Sequence, residues 1–166
     1  MQKNTLVVFV GKPGVGKTTL IKRVFPDKKL IDVLPYVYAY KVNGHVPEER
    51  TLDGYKDMYK DLLKMSEPLV ILELGSNHPE FNVQQLSNLQ KDFQIKIYIC
   101  TAEIDTLRQR VIGRNRGDDM EAMELRLQRK FPQEHIKKLE KTDLEYDVLD
   151  MEKPLSITEQ LIKKQC

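Results

Sequence analysis

Residues 11–18 read G-K-P-G-V-G-K-T and match the pattern G-x-x-x-x-G-K-[S/T] at every fixed position. An apolar run at residues 6–10 precedes them, and residues 18–21 continue with a pattern typical of the start of a helix. The three glycines let the backbone bend and bring its N–H groups close to a polyphosphate. The helix that follows presents more N–H groups and the positive end of its dipole to the same anion. The stretch therefore predicts a triphosphate-binding loop between a strand and a helix.

The residues of this loop have expected roles. We expect Lys17 to reach the β- and γ-phosphates and the Thr18 hydroxyl to hold Mg²⁺. The other residues expected to contact the nucleotide are Gly11, Pro13, Gly14, Val15, Gly16 and Thr19. ATP and Mg²⁺ are the predicted cofactors, and the choice between ATP and GTP stays open.

The composition is that of a globular protein with a hydrophobic core. The chain has 166 residues, of which 40% are hydrophobic and 31% charged, and its formal net charge is +2. This length favours a single domain over residues 1–166. The two cysteines, Cys100 and Cys166, lie far apart and form no metal-binding pattern. With no signal peptide and no apolar run of bilayer length, we expect a cytoplasmic protein without a membrane partner.

Strand and helix patterns alternate along the chain, which favours a parallel sheet covered on both faces. The predicted strands are residues 5–10, 29–33, 69–74, 95–100 and 146–149. Residues 36–42 read Y-V-Y-A-Y-K-V, in which tyrosine recurs at every second position up to residue 40, and they precede Asn43-Gly44. That combination predicts a β-hairpin.

Helical spacing predicts which apolar residues face the core. These are Leu107, Val111 and Ile112 on one helix and Met120, Met123, Leu127 and Phe131 on the next. The pair Ser156-x-x-Glu159 predicts a capping box that opens the last helix. Leu161 and Ile162 are expected to face inward from that helix.

Three features together resemble the small P-loop kinases of nucleosides, nucleotides and small metabolites. The first is residues 11–19, and the second is Glu73 inside the third strand. The third is the strand at residues 97–100 followed by Leu107-x-x-Arg110-x-x-x-Arg114-x-Arg116-x-x-Asp119. The resemblance implies an α/β fold of three layers: a five-stranded parallel sheet in the order 2-3-1-4-5, helices on both faces and a small arginine-bearing lid. It places the acceptor-binding region at about residues 34–66 and the lid at about 113–132.

The lid arginines are the predicted cations for the transferred phosphate. Arg110 and Arg114 are four residues apart and share a helix face, and Arg116 follows in the lid. Guanidinium groups fit phosphate oxygens better than ammonium groups do. The alternative is a solvated basic face with ion pairs. The resemblance also implies that Arg110 or Arg114 stacks on the nucleotide base, with residues 150–153 as the other wall. Arg126 and Arg129 are expected on a solvated face.

Two carboxylates compete for the role of base. Glu73 interrupts an apolar strand, where an ionised carboxylate is costly unless it is paired or near a metal. It would orient a Mg²⁺-bound water or accept the proton of an attacking hydroxyl. Asp32, at the end of the second strand, is the other candidate, and a helix cap is its structural alternative. The sequence leaves the choice open.

Tyr36, Tyr38, Arg50 and His78 complete the candidate acceptor site. The tyrosines would form either an aromatic wall or one face of an edge strand. Arg50 is the only arginine between residues 25 and 107, whereas enzymes that bind a monophosphate usually offer several. This favours an uncharged hydroxyl acceptor.

These features predict an ATP- and Mg²⁺-dependent phosphotransferase that moves the γ-phosphate to a hydroxyl or phosphate of a small acceptor. The alternative is a polynucleotide or RNA-end kinase, or an ATP-regulated nucleic-acid binder, which the basic segment 108–116 and the tyrosines allow. The net charge near zero does not favour a nucleic-acid partner. A GTPase-type switch is less favoured because neither D-x-x-G nor N-K-x-D occurs. The oligomeric state stays open.

Overall fold

The computed structural model describes residues 3–114 and 119–165. Five parallel strands form one sheet in the order β2-β3-β1-β4-β5, which confirms the implied fold class. The strands are β1 Asn4–Val10, β2 Lys29–Asp32, β3 Leu69–Leu74, β4 Phe93–Thr101 and β5 Glu145–Asp150. The helices are α1 Lys17–Val24, α2 Val33–Tyr38, α3 Thr51–Leu62, α4 Pro79–Leu89, α5 Ile104–Arg114, α6 Met120–Leu127, α7 Gln133–Leu139 and α8 Leu155–Gln165. No helix in these two described ranges is both long and apolar enough to cross a bilayer.

The central strand β1 supplies core residues to both faces of the sheet. Successive side chains of a strand point to opposite faces, so Leu6, Val8 and Val10 enter one core while Val7 and Phe9 enter the other. The first core is closed mainly by α2, α3, α4 and α7, and the second by α1, α5, α6 and α8. The sheet therefore forms the middle of three layers, and the carboxyl ends of β1, β2 and β3 lie along one edge.

The predicted hairpin at residues 36–42 is wrong. These residues begin inside α2, whose first N–H groups are capped by Asp32: its Oδ1 accepts a 3.0 Å hydrogen bond from the Leu34 amide. Val33 and Val37 are four residues apart and both buried, so helical spacing puts them on one face. Asn43 and Gly44 do form a turn, but it joins only an isolated bridge between Val42 and His45.

Four residues are wrongly predicted to share the buried face of a helix. Ile112 is 60% exposed, and Met120 and Leu161 are exposed as well, whereas Ile162 is buried as expected. Phe131 lies beyond α6, which ends at Leu127. These residues lie near the ends of helices or beside the buried face, where contacts with neighbouring elements determine whether a side chain is buried.

The predicted capping box is absent from the start of α8. The helix begins at Leu155, so Ser156 is already inside it rather than at its cap. The carboxylate of Glu159 instead pairs with Arg23 of α1 and with Lys163 one turn further along α8. Glu159 thus ties α8 to α1.

Candidate active site

The loop between β1 and α1 has the backbone that its glycines predict. Gly14 and Gly16 have φ values of 80° and 101°, in the left-handed region that favours glycine. A Cβ on Gly11 would lie 2.9 Å from the carbonyl oxygen of Cys100 on the neighbouring strand β4. The P-loop can therefore fit against β4 and turn into α1 only with glycine at these positions.

A cavity of about 590 Å³ opens between the P-loop and the helices around it. This volume is in the usual range for small-molecule sites. Twelve predicted site residues line it: Gly11, Pro13, Gly14, Val15, Gly16, Lys17, Thr18, Thr19, Asp32, Glu73, Arg110 and Arg114. The fold thus brings the P-loop, the ends of two further strands and α5 together at one edge of the sheet. Arg116 lies outside the described residues.

Lys17, Thr18 and Glu73 form the centre of the cavity wall. The Thr18 hydroxyl donates a 2.7 Å hydrogen bond to Oε1 of Glu73, and Lys17 Nζ donates to the carbonyl oxygen of Gly11. Burial lowers the pKa of Lys17, and the nearby negative charge of Glu73 opposes this effect. The Lys17 ammonium group is buried away from solvent, so a phosphate bound beside it would stabilise its positive charge.

Asp32 and Glu73 are register partners on the adjacent strands β2 and β3. Both side chains line the cavity, Glu73 with only 6% exposure. Asp32 also caps α2, as the helix-cap alternative predicts. Capping uses Oδ1, and the same carboxylate still borders the cavity.

Arg110 joins the P-loop to the loop after β5. Its Nη1 donates to the carbonyl oxygens of Val15 at 3.1 Å and Gly14 at 3.4 Å, and its Nη2 donates to Met151 at 3.2 Å. The guanidinium group therefore lies between two backbone segments. Because Met151 to Leu155 also line the cavity, this contact shapes the end of the cavity beside the P-loop.

Arg126 and Arg129 line the cavity as well, so their predicted place on a solvated face is wrong. Met123 and Leu127 are buried on the same helix, and Arg126 follows Met123 by one helical turn. Lys12 Nζ donates a 2.6 Å hydrogen bond to the carbonyl oxygen of Leu127, which holds the end of α6 at the P-loop. The three-residue spacing between Met123 and Arg126 is the sequence feature that indicates a shared, inward helix face.

The four other predicted acceptor residues do not line this cavity. The Tyr36 hydroxyl donates to Asp61 of α3 at 2.7 Å, and Arg50 pairs with Asp53. His78 lies next to the Thr51 hydroxyl at 2.8 Å and precedes α4. Tyr38, at the end of α2, carries the Lys41 ammonium over its ring. Tyr55 of α3, which is not among the predicted site residues, lines the cavity instead.

Comparison with known proteins agrees with this architecture. No protein-family model matches the chain. The shikimate kinase of Acinetobacter baumannii, solved with shikimate, superposes with a TM-score of 0.67 at 13% identity, covering 98% of this chain and 92% of its own. That of Bacteroides thetaiotaomicron gives 0.56 at 21% identity, covering 97% of both chains. A sugar kinase from a Janibacter species gives 0.59 at 16%, covering 98% of this chain and 92% of its own. The chain therefore has the fold of the small P-loop kinases.

Proposed function

We propose that this chain, folded as a small P-loop kinase, is an ATP- and Mg²⁺-dependent phosphotransferase acting on a small acceptor. The observation that carries the proposal is that one cavity is lined both by the P-loop and by Asp32, Tyr55 and Arg129. We assign the P-loop with Lys17 to a donor half of this cavity, and Asp32, Tyr55 and Arg129 to an acceptor half. Structural neighbours that are shikimate and sugar kinases support a small hydroxylated acceptor.

The donor half binds and orients the triphosphate. Backbone N–H groups of the P-loop and the first turn of α1 surround the phosphates, and Lys17 contacts the β- and γ-phosphates. Phosphoryl transfer depends mainly on positioning and charge neutralisation. Arg114, which lines the cavity, and Arg116 in the lid at about residues 113–132 would contact the transferred group. Arg110 would form one side of the base site.

The oxygen atoms of Thr18 and Glu73 suit Mg²⁺, a hard cation that prefers oxygen ligands. Their 2.7 Å hydrogen bond puts both groups at one point beside Lys17. The described part of the chain has no cluster of three or more histidine, cysteine or acidic residues that could hold a metal. The ion would therefore share its coordination with phosphates and water, as Mg²⁺ commonly does. When bound, it supplies positive charge to the β- and γ-phosphate oxygens.

Asp32 is the proposed group that accepts the proton of the attacking hydroxyl. Glu73 is engaged with Thr18, whereas Asp32 borders α2 on the acceptor half of the cavity. The acceptor region is residues 34–66, of which Leu34, Val37 and Tyr55 line the cavity. An apolar wall with one carboxylate orients a small hydroxyl compound and excludes water from it.

Acceptor-dependent release of ADP tests the proposal. Wild-type protein with Mg·ATP should release ADP faster in the presence of at least one compound from a panel of sugars, sugar acids, nucleosides and nucleotides. Lys17→Ala should abolish this release while leaving the fold intact, and Lys22→Ala, exposed on the same helix, should not. Turnover that is insensitive to Lys17→Ala would remove the P-loop from the reaction. Phosphorylation of single-stranded oligonucleotides, and of nothing small, would favour the nucleic-acid alternative.

A further inference from the structure

Arg126 and Arg129 differ from Arg23, Arg50 and Arg108 in having no acidic partner among the described residues. Arg23, Arg50 and Arg108 each pair with a carboxylate within 3.0 Å. Neither Arg126 nor Arg129 makes a side-chain hydrogen bond or an ion pair with any residue in ranges 3–114 and 119–165. Both line the cavity. Two guanidinium groups thus line one cavity without an ion pair or hydrogen bond to any described residue.

This arrangement costs free energy in the empty protein. Arg129 is half-buried, and its pKa is lowered by burial, with a further lowering by Arg126. The negative charges of Glu48 and Glu134 act in the opposite direction, yet neither carboxylate forms an ion pair with Arg129. Buried charges are normally paired, so unpaired ones in a cavity indicate a charged ligand.

The two arginines line the cavity together with Tyr55 of its acceptor half. Their positive charges oppose the effect of burial on the pKa of Tyr55. The Tyr55 hydroxyl in turn lies near Gly75, directly after β3. The Lys12 hydrogen bond to Leu127 holds the end of α6, and with it Arg126, over the P-loop.

We propose that Arg126 and Arg129 bind an anionic group of the acceptor, a carboxylate or phosphate, while Asp32 faces its hydroxyl. This inference rests on the proposed phosphotransferase function and adds the substrate class: small hydroxylated anions. It reverses the expectation of an uncharged acceptor, because that expectation rested on the scarcity of arginines between residues 25 and 107. The acceptor-side arginines come from beyond that span, and the planar fork of arginine suits both kinds of anion.

The decisive experiment is an anion titration with the P-loop already filled. Protein is saturated with Mg²⁺ and β,γ-imido-ATP, and inorganic phosphate or malonate is added as the probe while binding is followed by calorimetry. We expect at least one probe to bind. Arg126→Gln and Arg129→Gln should each weaken its binding by about 10- to 100-fold, the range for a charge-assisted hydrogen bond. Lys130→Gln, exposed and outside the cavity, removes the same charge and should have no effect.

Each outcome decides the proposal. Absence of probe binding to the filled wild type, or equal binding by the Arg126 and Arg129 variants, overturns it. Arg129→Lys keeps the charge but loses the planar guanidinium fork, so its affinity for the probe should lie between those of the wild type and Arg129→Gln. An intermediate affinity also shows that a variant at this position still folds. Phosphate binding without malonate binding would identify a phosphorylated acceptor, and the reverse a carboxylate.

A second arm separates this proposal from the proposed function. If β,γ-imido-ATP does not bind, the phosphotransferase proposal fails, and the same probes are then titrated into Lys17→Ala protein without nucleotide. Arginine-dependent binding there would support the anion site on its own. In turnover assays, the rate with gluconate should exceed the rate with glucose, or the rate with a nucleoside monophosphate should exceed the rate with the corresponding nucleoside. Greater turnover with the uncharged members would contradict the anionic class.

Discussion

The hydroxyl of Thr18 donates a 2.7 Å hydrogen bond to Oε1 of Glu73. These residues are 55 positions apart and lie on α1 and β3, so the contact joins the P-loop helix to the strand that flanks β1. It puts the hydroxyl expected to hold Mg²⁺ against the one carboxylate of an otherwise apolar strand. That neighbourhood accounts for a buried Glu73 with 6% exposure.

Glu73→Gln should keep an oxygen acceptor for Thr18 but remove the charge. We expect kcat to fall by about 100- to 1000-fold, the range for losing an electrostatic group at a reaction centre. The apparent Mg²⁺ requirement should rise as well. Steady-state turnover measured across a Mg²⁺ series checks both effects. Glu67→Gln, exposed before the same strand, is the control, and equal kcat in the two variants would contradict the assignment.

Asp32→Asn separates the two roles of this residue. Asparagine caps helices about as well as aspartate, so the melting temperature should stay near that of the wild type. It cannot accept a proton, and kcat should fall by about 100- to 10,000-fold. Asp32→Ala should lose activity and, in addition, about 1 kcal/mol of stability. Full activity in Asp32→Asn would leave Asp32 as a helix cap alone.

Arg110→Lys tests the link between the P-loop and the loop after β5. A single ammonium group cannot keep the hydrogen bonds to both Val15 and Met151, so the base site should loosen. We expect the Kd of Mg·ATP to rise about 10-fold, with a smaller change in kcat. Calorimetry gives the Kd, and Arg23→Lys, in a surface ion pair, is the matched control. A selective loss of kcat would instead place Arg110 on the transferred phosphate.

Gly54→Ala tests the contact between α2 and α3. A Cβ at Gly54 would lie 2.7 Å from Cα of Val37, and backbone cannot yield as a side chain can. The clash should outweigh the helix propensity of alanine, giving a net loss of about 1–2 kcal/mol. Urea unfolding measures this. Gly113→Ala in α5 meets no atom within 4 Å and should instead stabilise by up to about 1 kcal/mol. A stabilised Gly54→Ala protein would contradict the packing described here.

His135 should make the protein acid-sensitive. It is 3% exposed against the Phe131 ring, and burial lowers its pKa from 6.5 to about 4. The unfolded chain therefore takes up a proton at a higher pH than the folded one. The stability from this group is complete above pH 6.5 and is lost as pH falls towards 4, by about 3 kcal/mol. In His135→Leu this decrease of the unfolding free energy between pH 6.5 and 4 should disappear. A pH profile equal to that of the wild type would contradict the role given to His135.

Local sequence was sufficient wherever the conformation depends on nearby residues. The glycines of the P-loop fix its own backbone, and the continuous apolar runs predicted β1, β3 and the core of β4. Strand order followed from the resemblance to P-loop kinases, since periodicity does not order a sheet. The prediction for residues 36–42 is wrong because the Asp32 cap and the Val33–Val37 spacing, which both favour a helix, outweigh the local alternation of tyrosine.

What the sequence by itself determined is the triphosphate-binding loop, because eight consecutive residues carry both its geometry and its charge. The tertiary structure alone decided which arginines enter the cavity. Arg126 and Arg129 line it on either side of Leu127, whose carbonyl oxygen accepts a hydrogen bond from Lys12, 115 positions earlier in the chain. Helical periodicity says which residues share a face, but only packing between distant segments says what that face meets.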